Sequence, residues 1–97
     1  MTTTSTDPRI KVERLDPSDP KLAELKVKYW PVWSKEPSEF DWHYDQREIC
    51  YILEGDVTVR TDQGTVRLGK GDLVTFEKGL SCNWHVKKAV RKHYKFE

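Results

Sequence analysis

The sequence predicts an all-β domain, a compact sandwich or barrel of short strands with one short N-terminal helix. Three observations carry this. From Val32 onward apolar and polar side chains alternate with a period of two. The alternating runs are separated by glycine-bearing breaks at Glu54-Gly55-Asp56, Asp62-Gln63-Gly64, Gly69-Lys70-Gly71-Asp72 and Lys78-Gly79. The chain has 97 residues, enough for one hydrophobic core.

Taken in order, residues 1–8 carry no apolar side chain after Met1 and are expected to form a flexible tail, leaving 9–97 as the single domain. Ile10 and Val12 alternate with Lys11 and Glu13, a short first strand. Asp19 can cap a helix that Pro20 begins, and Leu22, Leu25 and Tyr29 continue it at helical spacing until Pro31 stops it. Strands are then expected over 32–35, 40–44, 49–53, 57–61, 65–68, 73–76, 82–86 and 90–96.

Composition excludes several classes. Leu, Ile, Val and Phe number 22, near the level at which chains fail to fold, but four Trp, four Tyr and a net charge of only +1 argue against disorder. With 17 basic and 16 acidic residues there is no basic excess for a nucleic-acid partner. No apolar run is long enough for a membrane span, and two cysteines are too few for a disulfide scaffold. A cytoplasmic protein is expected, unless a longer precursor with a targeting segment preceded this chain.

The charge has a layout. Residues 36–56 hold seven acids against the single base Arg47, whereas Lys87, Lys88, Arg91, Lys92 and Lys95 cluster without an acid near the end. The basic run reads as a solvated edge strand that resists edge-to-edge pairing, or as a landing site for an anion. His93 within it reads as a surface residue.

The chemistry-bearing stretch is Phe40 to Tyr51. A hairpin with Tyr44–Arg47 as its loop would set His43 opposite Glu48 and Asp41 opposite Cys50. One face would then collect Asp41, His43, Glu48 and Cys50, and the other Phe40, Trp42, Ile49, Tyr51 and Leu53. Amphipathic logic buries the aromatic face and leaves the polar face in water. A half-closed barrel reverses this, lining its cavity with the polar face. The aromatic face would then be covered by the Trp30–Trp33 segment or by a second subunit. Both placements remain open on these residues alone.

The spacing of motifs resembles the cupins. Glu48 and Gly55, with six residues between them, match the end of the first cupin motif. Its two histidine positions fall on Asp41 and His43. The second motif maps onto Gly71, Glu77 (a proline in the family pattern), Gly79 and Cys82 (a histidine in the pattern). The strings Tyr51-Ile52-Leu53-Glu54-Gly55 and Gly71-Asp72-Leu73-Val74-Thr75-Phe76 are similar to cupin sequences. Trp30-Pro31-Val32-Trp33, Phe40-Asp41-Trp42 and Lys78-Gly79-Leu80 resemble the small single-domain cupins grouped with (S)-ureidoglycine aminohydrolase and the ethanolamine-utilisation cupin. Together these pieces span residues 27–96.

This resemblance implies a double-stranded β-helix, or jelly-roll barrel, in which Asp41, His43, Glu48 and Cys82 point inward. They would be metal ligands, with Glu48 or Asp41 free to move a proton if not ligating. A mixed imidazole, carboxylate and thiolate set suits a divalent metal, zinc before iron or manganese; the departures from the family pattern equally allow a barrel with no metal. Cys50 and Trp84 would lie in the pocket. The outcome is either a metal-dependent enzyme acting on a small polar metabolite or a metal-free cupin that binds such a molecule or serves as an interaction module. An apolar outer face would favour a homodimer.

Overall fold

The computed structural model describes residues 7–97. The expected tail lies mostly outside the described residues. At its end Asp7 is already buried, held by Arg9 and by the Thr61 hydroxyl at 2.6 Å.

Among the described residues seven strands form one antiparallel network: β1 (Ile10–Arg14), β2 (Val32–Lys35), β3 (Ser38–His43), β4 (Glu48–Thr61), β5 (Gly64–Gly69), β6 (Asp72–Phe76) and β7 (Ser81–Phe96). The hydrogen-bonded order is β1-β6-β4-β7-β2, with β3 added to β7 and β5 to β4. The strands are short except β4 and β7, which pair along most of their lengths and hold the rest together. This is the all-β jelly-roll architecture that the resemblance implies.

Two of the expected breaks are not breaks. Residues 49–53 and 57–61 join in β4, and 82–86 and 90–96 join in β7. The polar residues between them form bulges, with register shifts at Ile52/Glu54, Glu54/Asp56 and Asp56/Val57. A bulge bends a strand without ending its pairing, which lets one strand serve two walls of a barrel. Gly55 makes the bend possible. Its φ is 125°, and a Cβ there would lie 2.7 Å from the Val90 Cα.

The expected Tyr44–Arg47 hairpin is also absent. β3 pairs with β7, not β4, so His43 faces Ser81 and Asp41 faces Asn83, while Glu48 sits opposite Phe76 and Phe96. Residues 44–47 instead carry the chain from one wall to the other. Without a shared hairpin register, the face that β3 turns inward is set by its pairing with β7. That face carries Phe40 and Trp42, opposite Trp84 and Cys82.

The inner core is built from alternate residues along each strand, the phase switching at the β4 bulge from Cys50 and Ile52 to Val57 and Val59, together with Ile10, Val74, Phe76 and Trp84. A second cluster covers the outside of β4 and β6. There α1 (Pro20–Leu25) and the 3-10 turn Val27–Tyr29 bring Leu22 and Val27 onto Tyr51 and Leu73, flanked by Trp30, Ile49 and Leu53. Asp19 caps α1 by accepting from the Lys21 amide at 2.9 Å. Of the apolar face expected to need a cover, Ile49, Tyr51 and Leu53 pack with the chain's own helical segment, whereas Phe40 and Trp42 line the cavity on the other side. Among the described residues no helix is long and apolar enough to cross a membrane.

Candidate small-molecule site in the barrel

On the inner face, β7 places Val90, Lys92 and Tyr94 in the apolar phase of the strand, so Lys92 is carried into the barrel. It is only 5% exposed. A buried ammonium requires a partner. Lys92 Nζ donates to Glu48 Oε2 at 2.6 Å, and Glu48 is itself 3% exposed at the start of β4.

Aromatic rings complete the enclosure. Trp33 pairs with Lys92 across β2 and β7, and the ammonium lies 5.0 Å from the Trp33 ring centroid and 4.8 Å from that of Trp84. Both distances suit a cation against an indole face. The two indoles meet edge to face (81°), and Phe40 stacks on Trp84 at 6.1 Å and 17°. Tyr44 stacks on Phe76 at 4.7 Å.

Above the ion pair is a cavity of about 200 Å³, open at one side, walled by these rings with Trp42, Tyr94 and Phe96 at its margin. Glu48 and Lys92 are the charged residues in its lining. Among its other walls, Tyr44 Oη and Trp84 Nε1 are buried hydrogen-bonding groups with no partner.

The residues expected to form the site separate into two groups. Glu48 and Trp84 line the cavity, Trp84 as expected, whereas Cys82 packs against the core and also lines a surface hollow with Asp41 and His43. Cys50 is buried in the core but does not line the cavity. Asp41 and His43 face outward. Asp41 accepts from Asn83 Nδ2 at 3.1 Å, and His43 Nδ1 lies 2.7 Å from Ser81 Oγ, with Asp45 3.7 Å from Nε2. The inward placement of Asp41 and His43 therefore does not hold, because they occupy the phase of β3 opposite to Phe40 and Trp42.

This arrangement does not fit a divalent metal. Among the described residues no three His, Cys, Asp or Glu side chains are grouped to hold one. Glu48, the carboxylate that lines the cavity, already faces an ammonium, which would repel a second cation. Burial pushes the Cys50 thiol up to about 12 and the Cys82 thiol up to about 11. They are free cysteines, not a disulfide.

Lys92 was the residue that sequence reasoning missed. Within a run of five bases it reads as surface. The signal was its phase: Val90, Lys92, Tyr94 and Phe96 alternate with Arg91, His93 and Lys95, so Lys92 occupies an apolar position. His93, in the other phase, is only partly exposed, and its Nδ1 lies 2.9 Å from the Trp30 carbonyl.

The EutQ-like cupin domain profile matches residues 22–94. A DUF861-family protein of Thermotoga maritima is 55% identical over 91% of this chain and 99% of its own, with a TM-score of 0.85. A DUF861-family protein of Pseudomonas syringae is 26% identical, aligned over 68% of this chain and 29% of that longer one, with a TM-score of 0.62. The Clostridium difficile EutQ protein, at 22% identity, shares the fold with a TM-score of 0.63 over 97% of this chain and 74% of its own. No curated protein matches the chain.

Proposed function

The chain belongs to the EutQ-like cupin family, and we propose that it holds a small metabolite in the barrel cavity without the help of a metal. The ligand's flat or apolar body lies against the indoles of Trp33 and Trp84. Its polar end exchanges hydrogen bonds with Lys92 and Glu48.

One observation carries this reading: a Lys92–Glu48 pair at 2.6 Å, almost fully buried beneath an aromatic cavity. Such a pair is a poor stabilising device. Desolvating two charges costs several kcal/mol per ion, and apolar replacements of similar volume often do as well or better. A donor and an acceptor set side by side beneath an open, ring-walled space are instead suited to orienting a polar ligand.

Charge and size narrow the ligand. Lys92 already occupies the cation position between the indoles, so the cavity selects against a second cation and accepts neutral or singly anionic groups. At about 200 Å³ it is smaller than the ~300–1,000 Å³ of drug-sized sites. A small metabolite fits that volume.

The test is a tryptophan-fluorescence titration with benzamide and benzoate on wild-type protein, Glu48→Gln and Lys92→Met. Saturable quenching in the wild type, weakened in both variants, is expected. A wild-type signal that stays flat with both probes contradicts the reading.

A further inference from the structure

We propose that Lys92 is a catalytic amine that condenses with small carbonyl compounds to form an imine, with Glu48 carrying the proton. The inference rests on the cavity being a ligand site and adds the substrate class, an aldehyde or ketone with a small flat or apolar body.

Four observations point there. Lys92 belongs to the cavity lining, which brings its side chain within reach of a ligand there. It is one of eleven lysines in the chain and is almost fully buried, and a desolvated amine is a nucleophile once its proton has passed to a base. A carboxylate that can accept and return a proton stands 2.6 Å away. Finally, Tyr44 Oη and Trp84 Nε1 are buried groups of the same lining with hydrogen-bonding capacity unused.

The step balances within this pair. Glu48 takes one proton from the Lys92 ammonium, and the freed lone pair forms the C–N bond while the carbonyl π pair moves to oxygen. A second Nζ proton passes to that oxygen, giving a neutral carbinolamine. Glu48 then returns its proton to the hydroxyl, the C–O bond breaks, and water leaves as nitrogen closes the C=N bond. The product is an iminium bearing the remaining Nζ proton beside the Glu48 carboxylate. Its charge equals that of the starting ammonium, so the same indole faces and the same carboxylate stabilise both ends of the step.

Intact protein treated with benzaldehyde and sodium cyanoborohydride, followed by peptide mapping, reads this out. Reduction should leave one benzyl group on Lys92, formed about 100-fold faster than on the surface lysines, the lower end of what positioned proton transfer contributes. In Glu48→Gln the Lys92 rate should fall to that of the surface lysines. The inference is overturned if wild-type label spreads over the other lysines and spares Lys92, a result that requires no variant to fold. Benzamide, which cannot form an imine, separates the two readings. Saturable quenching by benzamide with Lys92 unlabelled overturns the imine and leaves the binding site standing. A flat benzamide titration together with unlabelled Lys92 overturns both.

Discussion

Lys92 stands opposite Ile52 across β4 and β7, yet its ammonium meets Glu48, four residues nearer the start of β4. The side chain therefore runs along the inner face of the sheet, beneath the cavity, instead of leaving the barrel by the shortest route. Its ammonium lies against two indole rings, and its charge is satisfied at 2.6 Å. A pair held in this way is expensive to break and inexpensive to replace.

That asymmetry is measurable. Lys92→Met alone should destabilise the fold by about 3–5 kcal/mol, because it leaves the Glu48 carboxylate buried without a partner. The double variant Glu48→Leu/Lys92→Met should recover most of that loss, since apolar side chains of similar volume suit the surroundings. Urea denaturation of the two variants checks this. A single variant as stable as the wild type would mean that the pair is hydrated in solution.

Gly55→Ala should cost about 1–3 kcal/mol or more, because the added methyl combines a φ of 125° with a 2.7 Å approach to the Val90 backbone. The loss should appear in the urea midpoint. It should also weaken benzamide quenching, since Val90 lies two residues from Lys92 on the strand that would be displaced.

Alkaline pH should weaken the fold through the buried thiols. Burial raises Cys50 to about 12 and Cys82 to about 11, above the ~8.5 of an unfolded thiol. A group whose folded value is raised stabilises fully below the unfolded value and loses that contribution as pH climbs to the folded one. Burial moves Tyr44 in the same direction. Stability should therefore be level up to about pH 8.5 and decline towards pH 11–12, with a shallower decline in Cys50→Ala. At pH 8 both thiols should resist iodoacetamide until the protein is unfolded.

The acid limb has a different origin. The Arg9 side chain holds the Asp7 carboxyl well below its ordinary range, with help from the Thr61 hydroxyl. A depressed group stabilises above its unfolded value, about 3.9, and loses the contribution as pH falls below it. Asp7→Asn should therefore be less stable than the wild type at pH 7, with the gap narrowing below about pH 4. Thermal melts at pH 7, 4 and 2.5 would show it.

How far the sequence carries the account depends on which interactions are local. Strand phase is local, so Val57, Val59, Val74 and Trp84 could be assigned to one face of alternating strands. The helix was equally readable from Asp19, Pro20 and Leu22. Partner choice is not local. The short span between His43 and Glu48 looks like a hairpin, but β3 is claimed by β7 more than thirty residues later. That single pairing turns Asp41 and His43 outward and brings Phe40 into the barrel wall.

Lys92 shows the other limit. Residue type argued for the surface and strand phase argued for the interior; only the distant Glu48, Trp33 and Trp84 make the interior position tolerable. Tyr51 is covered by Leu22 and Val27, and its hydroxyl donates to the Leu15 carbonyl at 3.0 Å.

In the proposed site Glu48 and Lys92, and not a metal, hold the ligand. Titration of zinc, manganese and iron(II) into chelator-treated protein, read by metal analysis after desalting, tests this. No stoichiometric uptake of any of the three is expected. One equivalent of metal retained by the wild type and lost on His43→Ala or Cys82→Ser would contradict it.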